Sequence, residues 1–276
     1  MNTHSHALTW AGVLCMTSAL TIGTPIDLVV DPAQSSLDLS ITVDVGIAND
    51  SDTDSSSLSG TLVMDFDDAG NPSSITLVDM VVVIDQPMHY NWSFGFFGSA
   101  NAALNDGTVF YALPGTPTGP VPVAGGSFVF TEVLTDLGGL LEVNYDILLV
   151  GSGSELVDLG EQGSVGSAFS GSVLVDGDTI TVSSTLPIDS TLPLIDSNGN
   201  ELGTVTTTGT ATIVAVGTVP GCEADLNGDG ELNFFDVSAF LGAFAAMDPA
   251  ADINGDGLYN FFDVSAFLAA FAAGCP

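Results

Sequence analysis

One twelve-residue spacing of oxygen-bearing side chains occurs twice near the end of the chain, and it dictates backbone shape as well as chemistry. Residues 225–236 read Asp-Leu-Asn-Gly-Asp-Gly-Glu-Leu-Asn-Phe-Phe-Asp, and residues 252–263 read Asp-Ile-Asn-Gly-Asp-Gly-Leu-Tyr-Asn-Phe-Phe-Asp. In both copies oxygen ligands stand at loop positions 1, 3, 5, 9 and 12. Glycine stands at position 6, where a loop wrapping an ion must turn sharply. The run Val-Ser-Ala-Phe-Leu-x-Ala-Phe follows each loop, at 237–244 and 264–271, so the tail is an internal duplication of loop and helix. Val237, Phe240, Leu241 and Phe244, with Val264, Phe267, Leu268 and Phe271, recur at helical spacing and predict two core-facing stripes.

Calcium is a hard cation that takes six to eight oxygens, and each loop offers such a set. In the first, Asp225, Asn227 and Asp229 supply side-chain oxygens and Glu231 its backbone carbonyl; Asn233 binds directly or through water, and Asp236 closes the shell. Asp252, Asn254, Asp256, Leu258, Asn260 and Asp263 take the same roles in the second, Leu258 needing only its carbonyl. The spacing predicts two calcium ions. Three carboxylates crowd each loop, so without a cation they repel one another.

The pattern Asp-x-Asn-x-Asp-Gly-x-x-Asn-x-x-Asp followed by an apolar helix, given twice, resembles the type I dockerin module. Asp236 and Asp263 end their loops as dockerin loops end, and residues 221–224 leave no room for an entering helix. Gly221-Cys222 and Gly274-Cys275-Pro276 resemble the cysteine-bracketed variant found on planctomycete surface and secreted proteins. The resemblance covers residues 221–276, about a fifth of the chain. It implies a small helical, calcium-dependent module that docks to a cohesin-like protein or cell-surface scaffold. Loop positions 10 and 11, commonly small and polar in cellulosomal dockerins, are Phe234-Phe235 and Phe261-Phe262 here. Those rings either form an apolar partner-binding face or fill the module's own core.

The chain has 34 acids and neither lysine nor arginine in 276 residues. Without basic side chains it cannot neutralise phosphates, which excludes ordinary nucleic-acid binding, nor make polybasic contact with an anionic membrane. The natural partners of such a surface are cations. Ala7–Ile22 is a mostly apolar run free of acids and predicts a secretory signal peptide over 1–23, although His4 and His6 stand where lysine or arginine is usual. Export to a bacterial cell surface or the medium follows. Cys222 and Cys275 then bracket the duplicated tail and predict a disulfide, worth roughly 4 kcal/mol by the loop-entropy estimate.

Between residues 24 and 217 apolar residues alternate with period two and turns are rich in Gly, Asn, Asp and Pro. Leu37, Leu39, Ile41, Val43 and Val45 make one face; Leu62, Met64 and Phe66 make another, continued with a bulge through Ile75–Ile84; Leu141, Val143, Tyr145, Ile147 and Leu149 make a third. Further strands are expected over Ala168–Val175, Thr179–Leu186 and Thr204–Val216, and long loops over Ala48–Leu58 and Pro114–Gly126. The fold class is an all-β antiparallel sandwich or barrel of nine to eleven strands, with the small α-helical dockerin-like module at 218–276.

Outside the signal region His89 is the only histidine, and no nucleophile motif accompanies it. Glycoside hydrolysis needs only two carboxylates, and Glu132, Asp136, Glu142 and Asp146 are available. Tyr90, Trp92, Phe94 and Phe96 alternate and form either a sugar-stacking platform or a buried aromatic strand. The reading favoured is a non-catalytic docking protein. The alternative is a carbohydrate-active protein, binding a polysaccharide or hydrolysing it, recruited through the same tail.

Overall fold

The computed structural model describes residues 25–148, 151–161, 163–195, 201–219 and 221–274. The expected signal peptide and Leu149 lie outside these residues. Alternating apolar side chains draw the first part of the chain into long antiparallel strands, because residues two apart share a face that must be buried. β1 (Ile26–Val30) and β2 (Ser36–Asp44) lie one after the other between the same two neighbours, β3 (Asn49–Phe66) and β12 (Glu201–Thr218). Asp31 turns the chain between them, accepting the Ala33 N–H and the Gln34 amide.

A related arrangement, with one shared neighbour instead of two, recurs twice. β4 (Ser74–Ile84) and β5 (Met88–Ser93) pair in succession with β6 (Gly98–Tyr111). β9 (Gly151–Asp158) and β10 (Val165–Asp176) pair in succession with β8 (Ser127–Ile147). β7 (Thr118–Pro122) adds to β4, and β11 (Thr179–Ile195) runs beside β12 for its whole length. Pairing closes into a ring: β2, β3, β4, β6, β8, β10, β11, β12 and back to β2.

The ring is tight only at its lower end, where β1, β4 and β10 lie. At the upper end it parts into two four-stranded sheets, β5–β6–β8–β9 and β3–β2–β12–β11. Barrel and sandwich, alternatives from the sequence, thus occupy two ends of one molecule. Gly171 sits where β8 and β11 both crowd β10; a Cβ there would stand 2.3 Å from the Ser183 carbonyl oxygen and 2.9 Å from the Phe128 ring. The interior is one apolar cluster reaching from Ile26 to Ala215, with Phe128, Phe130 and Phe169 in mutual contact. The bulge expected in the Ile75–Ile84 strand is present: Val63 faces Asp79 while Met64 faces Leu77, leaving Val78 extra.

Two expectations need correction. Ala48–Leu58 is no loop, for β3 begins at Asn49. Its polar half pairs with β2 from Asn49 to Ser57, and on its other side Asp50, Asp52 and Asp54 accept the Ser93, Asn91 and His89 N–H groups of β5 at 2.7, 2.7 and 2.6 Å. Each carboxylate also accepts the N–H of the next residue. Side chains there do what a backbone ladder does elsewhere, so weak strand formers are held extended. Within Pro114–Gly126, β7 is held by Val121 opposite Ile75 and Thr118 opposite Leu77.

Candidate metal loops and docking face

Each tail loop is ordered by amides converging on its first aspartate. Asp225 accepts N–H groups from Gly228, Asp229 and Gly230 at 2.8, 3.2 and 2.8 Å. Asp252 accepts those of Asp256 and Gly257 at 3.1 and 2.9 Å. Gly230 and Gly257 have φ of 81° and 76°, the left-handed conformation that glycine takes without strain. Asn227 and Asn254 accept the N–H of residues 229 and 256, and Asp229 and Asp256 those of 231 and 258. Asn233 and Asn260 bond back to the carbonyls of Glu231 and Leu258.

Positions 9 and 12 also start the helices. Asn233 and Asn260 are N-caps of α1 (Phe234–Ala246) and α2 (Phe261–Ala273), accepting the N–H of Phe235 and Phe262 at 2.7 and 2.8 Å. Asp236 and Asp263 complete reciprocal capping boxes, returning to the Asn233 and Asn260 N–H groups at 2.9 and 2.8 Å. Loop and helix are therefore one cooperative unit.

The copies differ most at the carboxylate that ends each loop. Asp236 Oδ1 accepts the Asn227 N–H at 3.3 Å, and the Asp225 carboxyl lies within hydrogen-bonding reach. The Asn233 N–H is the main cause that holds the Asp236 carboxyl below the usual range; burial opposes it, and Asn227 and Asp225 add to it. Asp263 Oδ1 is buried and meets no donor at all. A buried carboxylate oxygen without a donor costs on the order of 1–3 kcal/mol or more. A cation bound by this oxygen would remove that cost, and the surrounding donors are oxygen only, as a hard divalent ion requires. Among the described residues no three His, Cys, Asp or Glu side chains form a ready-made cluster; most of the loop carboxylates' bonds go to the loop's own amides. Cys222 is disulfide-bonded, and Cys275, its expected partner, lies outside the described residues.

The helices meet through Phe240 and Phe267, whose rings stack at 4.2 Å and 3° at the centre of a separate small core. Val237, Phe244, Val264 and Phe271 pack around them. Leu241 and Leu268 correct the expected stripe, for both are exposed. The buried face is centred on Phe240, with Asp236 also inside, and that rotation turns Leu241 outward beside Phe234. All four loop phenylalanines are outside as well: Phe234 and Phe261 are 75% exposed and Phe235 and Phe262 69%. The question the sequence left open is answered: these rings are not core.

In the β-domain Tyr90, Trp92 and Phe94 are buried, and Trp92 donates its indole N–H to the Ile41 carbonyl at 2.9 Å. Burial, then the charges of Asp54 and Asp52, push the Tyr90 hydroxyl up to about 12. Only Phe96 reaches solvent, from the turn Gly95–Phe97, so the four do not form a stacking platform. Glu132, Asp136, Glu142 and Asp146 all lie along β8. Neighbours four residues apart on a strand stand about 13 Å apart, wider than the roughly 5–9.5 Å of a glycosidase pair. His89 is exposed on β5, its backbone held by Asp54. The aspartate ladder of β3 escaped the sequence reading; its signal was the alternation of Asp50, Asp52 and Asp54 with hydroxyl residues.

No protein-family profile matches this chain, and no curated protein matches it. Among solved structures it is similar to Ail, the attachment invasion locus protein of Yersinia pestis, crystallised with the heparin analogue sucrose octasulfate. That likeness has a TM-score of 0.29 at 10% identity, over 70% of this chain and 97% of that one.

Proposed function

We propose that this is an exported, non-catalytic protein whose C-terminal dockerin-like module binds two calcium ions and docks to a cohesin-like partner or surface scaffold. The observation that carries the reading is the buried Asp263 Oδ1, for which the folded chain provides no donor. Asp225, Asn227, Asp229, Asn233, Asp236 and the Glu231 carbonyl would hold one ion; Asp252, Asn254, Asp256, Asn260, Asp263 and the Leu258 carbonyl would hold the other. The ions would screen the crowded carboxylates and fix each loop against the start of its helix. The exposed Phe234-Phe235 and Phe261-Phe262 pairs support an apolar contact surface, since contiguous apolar side chains in solvent mark interaction sites where single ones do not. A disulfide between Cys222 and Cys275 would clasp the ends of the module.

The test is calorimetric titration of the full chain with calcium, beside a pull-down on the immobilised chain from the producer's envelope and secreted proteins. Two ions per chain and a partner retained in calcium but released by chelator are expected. A folded chain that takes up no calcium ends the reading; one that takes up two but retains nothing reduces the tail to a metal-stapled cap.

A further inference from the structure

The two seams at the upper end of the β-domain are built differently. Between β3 and β5, three aspartates bind the facing backbone N–H groups. Between β9 and β11 nothing comparable is present among the described residues. The β10–β11 ladder stops at Ser172 opposite Ser183, and its last stitch is the Ser184 hydroxyl donating to the Ser170 carbonyl at 2.6 Å. Beyond it, residues 185–195 of β11 pair only with β12, and β9 pairs only with β8. Two strand edges, residues 151–157 of β9 and 185–195 of β11, have no second ladder among the described residues and flank one opening, and such edges are templates for a further strand.

One position of the inner wall lacks a cover at the same place. Ile180 and Val182 on β11 are fully buried, and Leu186, Ile188 and Leu194 pack against the same core. Leu192, which shares their face by alternation, is 62% exposed. The outward faces beside the opening are acidic, with Glu142 and Asp146 on β8 and Asp158 on β9 to one side, and Asp189 on β11 to the other.

We propose that the opening between β9 and β11 is a docking slot for an extended basic segment of another protein, which adds there as a strand. Its backbone would pair with the free edges, apolar side chains at alternate positions would cover Leu192, and lysines or arginines at the others would meet the acids outside. Charge decides the occupant. A second copy carries the same 34 acids with no lysine or arginine and would bring like charge to an acidic rim. The slot lies apart from the calcium loops and does not depend on them.

The probe is a ten-residue peptide alternating valine and lysine, titrated into the full chain by fluorescence anisotropy, with hydrogen exchange read over 151–158 and 185–195. The control peptide keeps the lysines but replaces alternate valines by proline, so that charge is unchanged and backbone donors are lost. We expect the first peptide to bind at least ten-fold more tightly than the second and to slow exchange in both segments, equally in calcium and in chelator. Leu192→Glu, at an exposed position, should weaken it at least ten-fold while exchange in β6 and β8 stays unchanged. Equal binding of the two peptides would reduce the effect to charge attraction and overturn the proposal. So would an unaffected Leu192→Glu variant, no binding, or segments already protected in the free chain. Protection that rises with chain concentration would assign the slot to a second copy; protection independent of it would assign the slot to the chain's own N-terminal segment.

Discussion

Asp236 and Asp263 occupy the same position in duplicated loops, cap the same turn of equivalent helices and are equally buried. They differ because the Asn227 N–H reaches Asp236 Oδ1, whereas Asp263 Oδ1 meets no donor. Asp263→Asn keeps an oxygen for the Asn260 N–H and removes the stranded charge. In chelator the substitution should therefore stabilise the tail, by about 1–3 kcal/mol; in calcium it should destabilise it and weaken one of two binding events at least ten-fold. Calorimetry under the two conditions checks the crossing of sign, and destabilisation in both would remove the metal argument. Asp67 offers a titration at the same scale. Burial works to raise its carboxyl, but the Ser73 hydroxyl and the N–H groups of Ser74, Ser73 and Asp68 outweigh it, and the net shift is downward from 3.8. Its stabilising contribution is thus fully present above the unfolded value and is lost as pH falls through the lower folded one. Asp67→Asn should therefore lower stability at neutral pH and flatten the acid limb below about pH 4, so that the difference between the two proteins, read by denaturant titration, shrinks as pH falls.

At the scale of elements, β3 shows why strand content was only partly legible. Where apolar residues alternate, as in Leu62, Met64 and Phe66, the sequence states which face is buried and the structure agrees. From Asn49 to Ser57 no apolar face exists, and the segment reads as a loop until β5 is placed beside it. What fixes the strand is long-range on both sides, the ladder with β2 and the aspartate bonds to the β5 backbone, which local propensity does not encode. Asp52→Ala should speed amide exchange at Asn91 and cost about 1.5–3 kcal/mol, the worth of a bond to a charged acceptor, with Asp52→Asn losing less. An unchanged Asn91 would mean that β5 is held by β6 alone. The helices were legible in existence, but not in length, since each starts three residues before the expected run at 237 and 264, nor in rotation, because Leu241 and Phe240 are equally apolar on paper. Stacking of Phe240 on Phe267 selects the buried side; the loops were legible as tight glycine turns, but not in the difference between Asp236 Oδ1 and Asp263 Oδ1. The β9–β11 opening left no mark in the sequence at all, since an absent partner is a property of pairing and not of composition.

For the whole molecule, charge and core size point to two unequal stabilities. The β-domain is built on one large apolar cluster, whereas the tail has four fully buried apolar residues, Ala224, Phe240, Ala251 and Phe267. So small a core is marginal without staples. With 34 acids and no lysine or arginine, nearly every charge pair is repulsive, and the tail has the smaller core to set against it. The proposed cation binding would act on that weakness directly: a site filled at a hundred times its Kd contributes about 2.7 kcal/mol, and two sites about twice that, comparable with the whole stability expected of such a module. Thermal unfolding of the full chain should then show two transitions. Chelator should lower the tail transition alone, Phe240→Ala should abolish it at a cost of about 3–5 kcal/mol, and monovalent salt should raise both by screening. A single transition that ignores chelator would mean the tail draws its stability from elsewhere, and its two loops would then be turns held by their own amides.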